Sequence, residues 1–153
     1  MFETIKEWLE SRGIEFRQVH HAPTRTSQES ADARGEELAT GGKALVLKIG
    51  DTFVIHVLSA ARKLDSQAVK KRFGVKKIRF ATPEELLELT ELPPGAVPPF
   101  GRPIMDMDLF VDHSIVKNQK IAFNAGSLTD SIVMKTEDYL EIAKPEIYTF
   151  SIE

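Results

Sequence analysis

Two apolar runs set almost back to back constrain this chain more than anything else in it. Residues 43–48 (KALVLK) and 52–58 (TFVIHVL) carry the densest strand signal in the sequence, with Gly50-Asp51 between them. A Gly-Asp pair between two such runs predicts a tight hairpin, because glycine supplies the positive φ the turn requires. The hairpin commits the chain to an antiparallel pair, and other elements alternate around it. An amphipathic helix is expected over 2–12, where Phe2, Ile5, Trp8 and Leu9 share one face and Gly13 stands at the end. Residues 14–19 alternate as a half-buried strand does. Thr26-Ser-Gln-Glu29 has capping-box spacing and predicts a short helix that stops at Gly35.

Further on, Asp65 or Ser66 is placed to cap a basic helix ending at Gly74, and a short strand is expected over 78–80. Thr82-Pro83-Glu84-Glu85 opens another helix, with proline in its first turn. Residues 93–103 (PPGAVPPFGRP) hold five of the eight prolines and two of the nine glycines. Such a stretch cannot be helix or interior strand, so a stiff loop is expected. Strands follow over 109–111, 120–123 and 131–134, with a turn at Ala125-Gly126-Ser127. Thr136 is expected to cap a last helix to about Ala143, and 146–152 to close the fold as a strand. This interleaving predicts a mixed α/β fold: one domain over 1–153, with a curved, largely antiparallel mixed sheet flanked by short helices.

At 153 residues, 42% apolar and 28% charged, the composition suits one globular domain with a real core. The absence of cysteine excludes disulfides, thiolate zinc sites and a cysteine nucleophile. No apolar run approaches the roughly 18 residues of a membrane-spanning helix, and the first residues lack a signal peptide's apolar segment. No membrane partner and a cytoplasmic location are therefore expected. The net charge is -3, yet residues 62–79 carry eight basic side chains against one acid, Asp65. That segment is +7 and the remainder -10, which suits docking of one polyanion in one place. Lys70, Lys71, Arg72, Lys76 and Lys77 are the candidate nucleic-acid contacts. A solvated, lysine-rich helix accounts for the same residues as simply.

Gly41-Gly42-Lys43-Ala44 does not complete a phosphate-binding P-loop, which would need glycine at Glu37 and serine or threonine at Ala44. What remains is a lysine at the start of an apolar strand, either a solvated strand end or a point charge for a phosphate. The loop over 95–101 could preorganise backbone donors where an oxyanion develops, or simply cross between two elements. There is no G-x-S-x-G elbow and no H-E-x-x-H. His20, His21, His56 and His113 show no metal-ligand spacing, so no metal and no cofactor are expected. His56 should sit on one face of its strand. His113 reads with Asp112 as an exposed loop pair, and Ser127 as a turn serine unless a base reaches it.

The order of these features resembles the YbaK / prolyl-tRNA-synthetase-associated editing family. The matching stretches are His21-Ala-Pro-Thr-Arg-Thr26, Gly42-Lys43-Ala-Leu-Val-Leu, Leu64-Asp65, Lys77-Ile-Arg-Phe-Ala-Thr-Pro-Glu-Glu-Leu, Gly95-Ala-Val-Pro-Pro99-Phe-Gly101, Leu109-Phe-Val-Asp112 and Ile121-Ala-Phe-Asn-Ala-Gly126-Ser127. Together they run from about residue 15 to 143 in the family's order. The resemblance implies hydrolysis of the ester joining a wrong amino acid to a tRNA's terminal ribose, with the tRNA acceptor end and an aminoacyl-tRNA synthetase as expected partners. It implies that Lys43 holds the aminoacyl-adenosine end and that the loop from Gly95 to Pro99 offers backbone groups at the scissile carbonyl. Thr26, Ala96, Val97, Phe100, Gly101, Asp112, Gly126 and Ser127 are the expected pocket lining. Two departures stand out: Glu91 follows Thr90 where relatives commonly have glycine, and the turn after Phe123 reads Asn124-Ala-Gly-Ser-Leu-Thr129 where many members have a histidine or a polar signature. The alternatives are a non-catalytic tRNA- or synthetase-binding module of the same fold, and a hydrolase of another small ester using Ser127 or a histidine.

Overall fold

A computed structural model describes Met1–Glu153. The expected hairpin is its centre: β2 (Gly42–Ile49) and β3 (Thr52–Ser59) pair antiparallel through a turn in which Gly50 has φ 62°. β5 (Ile78–Phe80) pairs antiparallel with the end of β2. On the other side β6 (Leu109–Val111) pairs parallel with β3, and β9 (Glu146–Ile147) parallel with β6. A second, antiparallel sheet has the order β1-β8-β7, from β1 (Phe16–His20), β8 (Asp130–Lys135) and β7 (Lys120–Asn124). β4 (Lys63–Leu64) and β10 (Ser151–Ile152) form a two-stranded pair. The mixed α/β class and the antiparallel bias hold, but the strands divide into three sheets where one was expected.

Strand alternation sends the central sheet's side chains into two cores. Ile55, Val57 and Val111 face the first, with Ile121, Phe123 and Ile132 of the second sheet. Val54, Leu58 and Phe110 face the other, closed by Val69 and Phe150. Six helices flank the sheets: α1 (Phe2–Ser11), α2 (Ser27–Arg34), α3 (Ser66–Phe73), α4 (Pro83–Thr90), α5 (His113–Val116) and α6 (Thr136–Ala143). Residues 93–103 form neither helix nor strand, because proline lacks the donor both require.

Several local expectations are corrected. Thr26 caps α2 by accepting from the Glu29 N–H at 3.1 Å, but Glu29 meets the Thr26 hydroxyl rather than its N–H, so the box is half made. Asp65, not Ser66, caps α3. Thr136 is the first residue of α6 rather than its cap, and its hydroxyl is buried without a partner. The closing strand is two short pieces interrupted at residues 148–150. Asp112 and His113 are not an exposed pair. His113 is exposed on α5, while Asp112 is 1% exposed and accepts from the Ser114 N–H, the Ser151 hydroxyl and the Phe150 N–H. Burial alone would raise its carboxyl, but these hydrogen bonds prevail and hold it below the usual carboxylate value.

Glu91 ends α4 at φ 63°, the left-handed region that only glycine adopts without cost. Glu91→Gly is expected to raise stability by up to about 1 kcal/mol, after allowing for glycine's greater unfolded freedom. A thermal melt checks this, and a lowered midpoint would contradict it.

Candidate active site

β2 is partnered at both ends of its outer edge but not between them. Gly41, just before it, bridges to Ala122 of β7, and Leu47 to Ile49 pair with β5. Where these partners diverge, Lys43, Ala44 and Leu45 border a cleft of about 430 Å³. Its opposite walls come from Thr24 and Thr26 before α2, from Ser30 and Arg34 within it, from Gly95 and Val97 of the stiff loop, and from Asn124 at the end of β7 and Leu128 beyond it. Three cations (Arg25, Arg34, Lys43) line it, and no carboxylate does. In a protein of net charge -3, that is a site built for an anion or for a carbonyl that becomes one.

Lys43 Nζ donates to the Arg62 carbonyl at 2.8 Å, and burial holds its pKa below the ordinary lysine value. Gly95 has φ 89°, a conformation that only glycine takes freely. Its carbonyl accepts from Asn124 Nδ2 at 2.7 Å. Ala96 N–H turns back onto the Pro93 carbonyl at 3.2 Å, whereas the Gly95 and Val97 N–H groups have no acceptor in the protein. Both residues line the cleft that Lys43 also lines.

Behind these residues runs an oriented polar chain that sequence reasoning missed. Arg34, 8% exposed, donates from Nε to the Ser131 hydroxyl at 2.9 Å and from Nη2 to Asn124 Oδ1 at 3.0 Å. Asn124 is thereby turned so that Nδ2 holds Gly95. His21 donates from Nδ1 to the Ala22 carbonyl at 2.9 Å, and its Nε2 shares a hydrogen bond of 2.8 Å with the Ser131 hydroxyl. In the sequence, Arg34 is one basic residue in a helix's last turn, the commonest place for one.

Other expected lining residues lie elsewhere. Phe100 is wholly buried, its ring packed edge-on to Trp8, Phe123 and Tyr139. Ala96 is buried, and Pro99 accepts from the Tyr139 hydroxyl with its carbonyl at 2.6 Å, which leaves it out of the cleft. Gly101 faces a different groove, and a Cβ there would meet the Met107 carbonyl at 2.6 Å. Asp112 tethers the C-terminal segment instead of lining the pocket. Gly126 packs against Met1, and the Ser127 hydroxyl donates to Asp130 at 2.9 Å. Asp130 stands between Ser127 and His20, so the histidine cannot take the serine's proton. Thr26 does line the cleft, with its hydroxyl spent on the α2 cap.

The basic residues form a separate surface. Lys70, Lys71 and Arg72 lie on α3, which packs through Val69 and Phe73 against the second core. Arg72 pairs with Glu146 at 2.9 Å and covers the Tyr148 ring. Lys76 and Lys77 precede Ile78, which pairs with Ile49, so they lie about 20 Å along β2 from Lys43 at ~3.3 Å per residue. No three histidine, aspartate or glutamate side chains gather as metal ligands would. A second groove of about 430 Å³, beside Trp8 and Gly101, includes Asp108 and Glu146, and its Arg102 is paired with Asp106 and Asp108. This groove therefore mixes cations with carboxylates, whereas the cleft beside Lys43 holds no acid.

Fold and cleft together define a small α/β domain with a cleft at an open strand edge, between a half-buried lysine and a stiff loop rich in glycine and proline. The chain belongs to the aminoacyl-tRNA editing domain family, whose model matches residues 21–142. It is 35% identical over 148 residues to the multifunctional Ser/Thr-tRNA deacylase ProXp-y of Escherichia coli (strain K12), covering 93% of this chain and 87% of that protein. It is 26% identical over 107 residues to the proline–tRNA ligase of Macrococcus caseolyticus, a match spanning 70% of this chain and 18% of the ligase. A crystal structure described as a proposed trans-editing enzyme for prolyl tRNA synthetase superposes with TM-score 0.86 at 24% identity, covering 99% of this chain and 97% of that one. At that identity the likeness speaks for the fold.

Proposed function

We propose that this protein hydrolyses the ester of mischarged aminoacyl-tRNA in trans, with seryl and threonyl esters as its substrates. One observation carries the reading: Lys43 borders one cleft with Gly95 and Val97, whose N–H groups have no acceptor within the protein, and that cleft holds cations and no acid. The terminal aminoacyl-adenosine enters at the open edge of β2, where Lys43 supports its negative charge. Water adds to the ester carbonyl, and the oxygen that becomes anionic receives the loop's N–H groups. The intermediate collapses by expelling the ribose oxygen, which takes up a proton, and the free amino acid and intact tRNA leave. The neighbouring ribose hydroxyl is suited to orient the water, so that positioning replaces a protein nucleophile. The hydroxyl-rich wall of Thr24, Thr26 and Ser30, and the name of the Escherichia coli relative, support the choice of acyl group.

Seryl-, threonyl-, alanyl-, cysteinyl- and prolyl-tRNA in a deacylation assay test this directly. Release of serine or threonine well above the buffer rate is expected, and a buffer rate for all five would refute it. The basic surface is the proposed seat of the tRNA body. Replacing Lys71, Lys76 and Lys77 together by glutamine is expected to raise KM for tRNA and to flatten its salt dependence. The log–log slope should fall by roughly 0.7–0.9 for each phosphate that the variant no longer neutralises. Hydrolysis of a minimal aminoacyl-adenosine should stay the same; an unchanged salt slope on tRNA would place the tRNA elsewhere.

A further inference from the structure

Arg34 is more than a strut. Its side chain is over nine-tenths buried, yet it makes no ion pair, and burial brings its pKa down to about 10. A guanidinium removed from water without an anion is costly, and two neutral partners, Ser131 and Asn124, only partly offset that. The remaining Nη1 makes no hydrogen bond within the protein. It is turned toward Gly41, 3.6 Å from where a Cβ on that residue would stand, at the margin of the cleft. Guanidinium nitrogens donate and never accept. Nη1 keeps contact with solvent, so water completes its shell in the free protein, and a ligand that displaces this water must bring an oxygen lone pair in its place. Carbonyl and phosphate oxygens already have the Gly95 and Val97 N–H groups and Lys43. The Arg34 wall, with Thr24 and Ser30 beside it, is left for the acyl side chain.

We infer that Arg34 is a specificity-determining residue, its Nη1 donating to the side-chain hydroxyl oxygen of a seryl or threonyl ester; this rests on the deacylase reading above. Discrimination works by penalty. An alanyl ester of nearly the same shape covers the guanidinium and gives it no acceptor, so a buried cation loses its water without compensation. Cationic acyl groups are turned away by repulsion at the same atom.

The test compares kcat/KM for seryl- and alanyl-tRNA in the wild type and in Arg34→Met. Removing one charge-assisted hydrogen bond should reduce the seryl-to-alanyl ratio by roughly ten- to a hundred-fold. If both esters slow by the same factor, Arg34 acts only through Asn124 and the Gly95 loop, and the inference is overturned. Asn124→Ala gives the pattern of that outcome, slowing both esters alike. Arg34→Gln, polar but too short to reach, reads the same ratio should Arg34→Met fail to fold. Should the wild type hydrolyse none of the five esters, the deacylase reading fails by itself. Calorimetric binding of the non-hydrolysable 3′-seryl and 3′-alanyl amides of adenosine then decides the role of Arg34. A seryl preference that vanishes in Arg34→Met upholds it, and one that persists, or is absent from the wild type, refutes it.

Discussion

Lys43→Ala is expected to lower kcat/KM for ester hydrolysis by about a hundred-fold or more, while thermal stability changes little. The magnitude follows from the proposed role: without the fixed charge that holds the aminoacyl-adenosine end in a cleft lacking carboxylates, the ester is misplaced against the loop, and a misplacement of about 1 Å costs on the order of a hundred-fold. The small effect on stability follows from what Lys43 contributes to the fold, one hydrogen bond to the Arg62 carbonyl, worth about 1 kcal/mol. Charge and position can be separated by pH. Burial lowers the Lys43 pKa, so its cation is lost as pH rises through a value below the ordinary ~10.4. Enzymatic hydrolysis, corrected for the buffer rate, should therefore decline earlier on the alkaline side than a normal lysine would dictate, and Lys43→Arg should move that limb upward. A fully active Lys43→Ala would remove the lysine from the mechanism.

Acidification is expected to remove on the order of 3 kcal/mol of stability between about pH 7.5 and 4.5 through one side chain, His56. This histidine is 0% exposed, lies among Phe73, Phe110, Tyr148 and Phe150, and has a single partner, the Tyr148 hydroxyl, at 2.7 Å. Burial depresses its pKa to about 3, against ~6.5 in the unfolded chain. Between those values the unfolded chain binds a proton that the folded protein does not, so stability rises with pH across the window and falls on acidification. Below about pH 4 Asp112 adds to the loss. Its depressed carboxyl stabilises the fold above the unfolded carboxylate value, and the contribution disappears as pH falls through the folded one. Denaturant unfolding of His56→Phe should show a nearly flat profile from pH 7 to 5, because phenylalanine keeps the ring packing without titrating. A wild type equally flat there would show that His56 carries no such linkage.

Much of the fold was legible because its signals are local. The Gly50-Asp51 hairpin, the helix start at Thr82-Pro83 and the glycine stops at Gly13, Gly35 and Gly74 are each written within a few residues. The departure at Glu91 was visible too, though its meaning, a left-handed helix end without glycine, needed the backbone. The site was legible in outline. Lys43, Gly95, Val97 and Thr26 do border one cleft, whereas Pro99, Phe100, Gly101, Asp112 and Ser127 answer to packing, capping or turns. A loop motif names a stretch of chain, but a stiff loop that turns on itself sends neighbouring residues in different directions. Gly95 and Val97 therefore face the cleft while Phe100 and Gly101 do not.

By itself, then, the sequence determined the elements, the hairpin at the centre, the stiff loop and the family to which the chain belongs. These follow from periodicity, turn chemistry and an ordered set of short motifs, all of which act over a few residues. Only the tertiary structure decided how the strands divide into sheets, that the cleft opens where β5 and β7 part along the edge of β2, and that Arg34 stands there without a counter-ion. Its partners Ser131 and Asn124 are 97 and 90 residues away. Whether a basic side chain is solvated or stranded depends on such distant groups, and no local pattern encodes their absence.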